Sequence, residues 1–145
     1  FSDFYFTPNT EGFVKLQWKD KYSDTVYGVN DLSDGTIRFI ALTVLFMQPN
    51  LPDTIIIDEP ELGLHPYAIT LLGAMIRSLS TQIPFIIATQ SVSLLNEFSL
   101  DNIIVVERED GVSRFERLKE DAFASWLEDY SVGELWEKNV LGGRP

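Results

Sequence analysis

Asp58 and Glu59 stand side by side at the end of the aliphatic run Ile55-Ile56-Ile57, and Pro60-Glu61-Leu62-Gly63-Leu64-His65-Pro66 follows them. Two adjacent carboxylates at the exit of a fully apolar strand lie where open α/β sheets bind their ligands. Their chemistry suits a nucleotide hydrolase, in which one carboxylate supports magnesium and the other activates water. A phosphate-cradling loop of the form Gly-x4-Gly-Lys-Ser/Thr is absent, because none of the nine glycines is followed by lysine. The residues therefore amount to half of an active site. The alternative is that Asp58 and Glu59 form only a polar strand exit.

Two further clusters carry chemistry of the same kind. In Leu32-Ser33-Asp34-Gly35-Thr36 a helix N-terminus would offer free N–H groups and a positive dipole end to an anion. Ser33 adds a hydroxyl there and Gly35 permits close backbone approach; the plain alternative is an N-cap worth about 1 kcal/mol. In Ala88-Thr89-Gln90-Ser91 the side chain of Gln90 can hydrogen-bond a phosphate or a lytic water, but it does not titrate near neutral pH. It could equally satisfy local backbone. His65, the single histidine, precedes Pro66 at a helix start, a place where it is either structural or functional. A metal site built from His65, Asp58 and Glu59 is less favoured than magnesium held together with phosphate.

The elements that must position these residues are legible as periodicities. Residues 13–19 alternate, with Val14, Leu16 and Trp18 on one face, and with residues 3–7 and the turn Pro8-Asn9-Thr10-Glu11-Gly12 they read as a β-hairpin. A third short strand is expected at residues 26–29. Ser33 opens a mostly apolar helix through Ile37, Ile40, Ala41, Val44 and Leu45, which ends before Pro49 and is expected to be buried. A strand at 54–57 is followed by a helix that begins at Pro66 and faces the core with Ile69, Leu72, Met75, Ile76 and Leu79. The strand at 85–88 is apolar throughout, which predicts burial on both faces and parallel pairing. A strand-helix-strand order makes a right-handed parallel crossover the natural arrangement, so Asp58-Glu59 and Thr89-Gln90-Ser91 should lie side by side at one sheet edge. After Ser91, which can cap a short helix reaching Phe98, come a hairpin around Glu109-Asp110-Gly111 and two short helices within 120–139, anchored by Trp126, Leu127, Leu135 and Trp136.

Taken in order, Leu32-Ser33-Asp34-Gly35-Thr36, the run 55–66 and Ala88-Thr89-Gln90-Ser91 resemble the C-terminal half of an ABC-type ATPase core. The likeness is to the RecF/SMC-like group of AAA-labelled ATPases and covers almost the whole chain; the tail Trp126-Leu127-Glu128-Asp129-Tyr130, Gly133-Glu134-Leu135-Trp136 and Gly142-Gly143-Arg144-Pro145 looks like that group too. The resemblance implies an α/β, P-loop NTPase-like partial domain with a mainly parallel sheet flanked by helices, β-hairpins and a C-terminal helical tail. It places the half domain at residues 1–118, with signature, Walker B and switch but no Walker A, and the tail of the same domain at 119–145. By the same resemblance the cofactors are ATP and Mg²⁺, Asp58 is the metal residue, and Glu59 orients or deprotonates the attacking water. Gln90 stands at the switch position where many relatives have histidine, which puts a histidine-like pH dependence in doubt. Ser33, Asp34 and Gly35 would bind the γ-phosphate held by a second copy in a head-to-tail ATP sandwich, and His65 would lie in the loop crossing that interface.

The bulk composition narrows the remaining choices. Length (145 residues) and an apolar fraction of 45% suit one soluble domain. A net charge of −11 leaves no basic face for DNA or anionic membrane, so a DNA or protein partner is possible but not indicated. The longest uncharged stretch, 78–96, is broken by Pro84 and many polar residues and is no membrane span. Zero cysteines exclude disulfide and zinc-thiolate chemistry and are compatible with a reducing cytoplasm. Because Phe1 opens what looks like a strand, the chain is expected to be a piece of a longer protein, with the phosphate loop upstream and little activity on its own. Two other readings stand beside the ATPase: a nucleotide-dependent dimerisation module without turnover, and a metal-dependent hydrolase of another substrate, for which too few ligands can be assembled.

Overall fold

The computed structural model describes residues 2–143, so Arg144 and Pro145 of the tail motif lie outside the described residues. The chain divides into two compact units, 1–44 and 45–145.

In the first unit β1 (Asp3–Pro8) and β2 (Val14–Lys19) form the expected antiparallel hairpin, with Phe6 opposite Leu16 and Phe4 opposite Trp18. The short β3 (Val26–Gly28) pairs with β2 and ends one residue earlier than expected. Trp18 and Tyr27, directly opposite on β2 and β3, stack with centroids 4.6 Å apart. A 3-10 turn, Val29–Asp31, leads to helix α1 (Asp34–Met47), which runs on into the second unit.

The second unit is built on the crossover β4 (Ile55–Asp58), α2 (Pro66–Leu79) and β5 (Phe85–Ala88). The two strands pair in parallel, Ile55 with Phe85 through to Asp58 with Ala88. Helix α2 buries Ile69, Leu72, Gly73 and Ile76, the stripe its 3-and-4 spacing prescribes, while Met75 and Leu79 are half-buried. Phe46, at the end of α1, meets Phe85 edge-on at 5.5 Å. The short α3 (Val92–Leu95) packs on both α2 and α5 (Val132–Glu137), and its Leu94 is fully buried. Strands β6 (Ile104–Glu109) and β7 (Val112–Arg117) make the second hairpin. A 3-10 turn at Glu120–Phe123 runs into α4 (Ala124–Leu127). Leu100, Leu118, Leu135 and Leu141 then form a core of their own, surrounded by Phe123, Leu127, Tyr130 and Trp136.

Three expectations about burial fail. Helix α1 fully buries only Phe46; Phe39, Ile40, Leu42 and Leu45 are half-buried, and Ile37, Val44 and Met47 are exposed because among the described residues little covers their side of the helix. Strands β4 and β5 are covered on one face only: Ile55 is buried, but Ile56 and Ile86, pointing the other way, are 73% and 59% exposed. An apolar run thus marks a strand suited to burial on both faces without supplying the second layer. Trp126 is also exposed and stacks only loosely on Tyr130, leaving Leu127, Leu135 and Trp136 to anchor the tail.

Candidate active site at the ends of β4 and β5

Parallel pairing carries the two polar strand exits to one edge. Asp58 lies opposite Ala88, and the next main-chain bond runs from Glu59 N–H to the Ala88 carbonyl at 2.9 Å, so Glu59 sits beside Thr89 and Gln90. Asp58 is exposed at the strand end and Glu59 is half-buried. The Gln90 main-chain N–H donates to the Glu59 carboxylate, while the Gln90 side chain remains exposed.

Glu59 adopts a left-handed backbone, φ 43°. Such a conformation costs a residue with a Cβ about 1–2 kcal/mol. Proline at the next position constrains it further, since Pro60 disfavours compact backbone before it. The bond to Ala88 and the complete burial of the Pro60 ring hold the turn in place. Bonds from Leu62 N–H to the Glu59 carbonyl (3.2 Å) and from Leu64 N–H to the Glu61 carbonyl (2.9 Å) complete it.

The residue absent from the sequence-based set is Glu61. Its side chain is buried, 6% exposed, and accepts a short hydrogen bond from the Thr89 hydroxyl. Glu59 lies next to it and, when it carries a proton, donates to the Glu61 carboxylate, whose Oε2 otherwise has no hydrogen-bond partner. The Glu59 carboxyl is held above the usual carboxylate range by burial first, then by the Glu61 hydrogen bond and charge and, more weakly, by the Asp58 charge; the Gln90 N–H pulls the other way. Nothing in the spacing distinguishes Glu61 from a solvated turn residue, and only its pairing across 28 residues with Thr89 reveals it.

Two of the remaining candidates, His65 and Ser33, make helix-cap hydrogen bonds of their own. His65 caps α2: its Nδ1 accepts from Tyr67 N–H at 3.2 Å, the local satisfaction expected at a helix start that carries Pro66 in its first turn. Ser33, in the other unit, caps α1 through Oγ, which accepts from Thr36 N–H at 3.2 Å and shares a 2.8 Å bond with the Thr36 hydroxyl. Asp34 and Gly35 form the first turn of that helix. Among the described residues no three His, Cys, Asp or Glu side chains gather to form a metal site, so a cation here would need ligands from outside the described residues. That need fits magnesium, which binds through one or two carboxylates and completes its shell with phosphate oxygens and water.

Residues 8–96 match a family model described as "AAA domain, putative AbiEii toxin, Type IV TA system". No curated protein matches the chain. Among solved structures it is similar to an SMC ATPase described for ATP-driven dimerization and DNA-stimulated activation, at 23% identity over 81% of this chain and 73% of that one, TM-score 0.62. It is similar also to an Smc head bound to the C-winged helix domain of ScpA, at 22% identity over 77% of this chain and 34% of that one, TM-score 0.64. A third is an Smc head with an extended coiled coil bound to the C-terminal domain of ScpA, derived from Pyrococcus furiosus, at 23% identity over 82% of this chain and 30% of that one, TM-score 0.63. The chain spans about a third of the length of the last two. At such identities the likeness is one of fold, the P-loop NTPase-like α/β fold of these ATPase heads. Among the described residues no helix is long and apolar enough to cross a membrane.

Proposed function

Since the chain belongs to the AAA domain family whose model matches residues 8–96, we propose that it is the C-terminal part of a cytoplasmic ATP-hydrolysing ABC-type, RecF/SMC-like ATPase domain. In this reading residues 1–118 carry signature, Walker B strand end and switch, and 119–145 are the helical tail of the same domain. The observation that carries the proposal is the parallel register of β4 and β5, which sets Asp58, Glu59 and Gln90 at one sheet edge where α/β folds bind ligands.

Magnesium held with the phosphates of ATP supplies charge neutralisation at the transferring group. Asp58 would hold that ion, a role its exposure at the strand end supports. Glu59 orients the attacking water and accepts its proton; its affinity for a proton, raised by burial and by Glu61, suits a general base. Gln90 fixes Glu59 through its main-chain N–H and has a free-standing amide side chain to offer the γ-phosphate or the water. Ser33, Asp34 and Gly35 cap the γ-phosphate of a second copy from the start of α1, a helix of 14 residues. His65 lies in the turn that would cross the dimer interface. The phosphate loop comes from a segment outside this chain, since no glycine here precedes a lysine.

The test is ATP turnover by the intact protein. Glu59→Gln should retain Mg²⁺-dependent ATP binding, accumulate ATP-bound dimers and lose hydrolysis by a factor of roughly a hundred or more. The 145-residue chain alone should hydrolyse ATP negligibly. Behaviour of Glu59→Gln identical to wild type would instead favour a dimerisation module without turnover.

A further inference from the structure

The residues around Glu59 form a ring of contacts that the proposed chemistry does not by itself require, anchored by the hydrogen bond from the Thr89 hydroxyl to Glu61. The Gln90 main-chain N–H meets Glu59, Glu59 meets Glu61, and Glu61 accepts from the hydroxyl of Thr89, the neighbour of Gln90. The same Thr89 oxygen accepts from Ser91 N–H at 3.0 Å, so one hydroxyl ties the Glu61 turn to the start of α3. Two strand exits remote in sequence are thereby joined by side chains as well as by the main-chain bond from Glu59 to Ala88. Glu61 is the most secluded member: one oxygen accepts from Thr89 and the other, Oε2, is buried without a hydrogen-bond partner, so the Thr89 bond carries its fixation against the cost of burying a carboxylate.

We infer that Glu61 is a positioning residue: held by the Thr89 hydroxyl, it braces the turn that β5 and Pro60 impose at Glu59 and keeps the Glu59 carboxylate at the edge it shares with Gln90. Glu61 itself is too buried to touch nucleotide and acts through Glu59. The inference rests on the ATPase reading for its effect on turnover, while the ring itself stands independently of that reading. A catalytic group displaced by even a fraction of its working distance loses rate steeply, and such a loss appears in turnover rather than in substrate binding.

The experiment is Thr89→Val in the intact protein, which keeps the side-chain shape and removes the donor, with Thr89→Ser as the restoring variant. Thr89→Val should lower kcat for ATP roughly tenfold or more with KM changed by about twofold at most, and Thr89→Ser should recover most of the rate. Faster amide exchange at Glu59 and Ser91 in Thr89→Val, reversed in Thr89→Ser, should accompany it. Should Thr89→Val fail to fold, Glu61→Met removes the acceptor at similar volume and is expected to give the same split. An unchanged kcat, a rise in KM with kcat intact, or a loss that Thr89→Ser does not restore overturns the inference. If the wild-type protein hydrolyses no ATP, the proposed function fails, and exchange at Glu59 and Ser91 still decides: unchanged protection in Thr89→Val overturns the ring, and lost protection upholds it.

Discussion

Glu59 works from a backbone conformation that its residue type resists, and the size of that resistance can be measured. At φ 43° the Cβ of Glu59 crowds its own carbonyl, at a cost of about 1–2 kcal/mol. Glycine removes the crowding but gives up about 0.5–1 kcal/mol of chain entropy on folding. Alanine keeps the crowding. Both Glu59→Gly and Glu59→Ala lose the side-chain bonds to Glu61 and Gln90 and the charge beside Asp58, so those contributions cancel between them. Glu59→Gly should therefore be the more stable of the two by about 0.5–1 kcal/mol, which for a chain of this size is roughly 1–4 °C in Tm. Thermal and urea denaturation of the two variants in the intact protein measure the difference, and both should be inactive in ATP turnover. If Glu59→Ala proves as stable as Glu59→Gly or more so, the turn is not strained and the argument that β5 and Pro60 impose it is wrong.

The titration of Glu59 gives a second check. Its folded-state proton affinity is raised, so the stability it contributes is complete below the ordinary carboxylate range and declines as pH rises through the raised value. Glu59→Gln has no such decline, so its Tm should gain on wild type from acid toward neutral pH; a constant or shrinking difference would contradict the assignment. Helix α5 supplies a third: a Cβ on Gly133 would lie 2.6 Å from Val92 Cγ1 and 2.7 Å from the Val92 carbonyl oxygen. Gly133→Ala should thus push α5 off α3 and destabilise the protein by about 1–3 kcal/mol in equilibrium denaturation.

The three motifs and the elements that bear them were legible because each rests on short-range physics. Alternation marked β2, the spacing of Ile69, Leu72 and Ile76 marked α2, and Ser33, Ser91 and Pro66 marked helix starts, since capping and φ restriction act within a few residues. The parallel pairing of β4 with β5 followed from two apolar runs separated by a helix, and with it the meeting of Asp58-Glu59 with Thr89-Gln90-Ser91. Burial was less legible. Ile37, Val44 and Met47 of α1, Ile56, Ile86 and Trp126 are exposed, because hydrophobicity says what a surface could bury and not whether a neighbour is there. What the tertiary structure alone decided is the inside of the site: Glu61 buried and bonded to Thr89, Gln90 engaged through its main chain, and Glu59 forced into a left-handed turn. Each depends on atoms brought together from distant parts of the chain. A sequence determines residue types and local preferences by itself, whereas the partner of a buried carboxylate is chosen only when the strands pair.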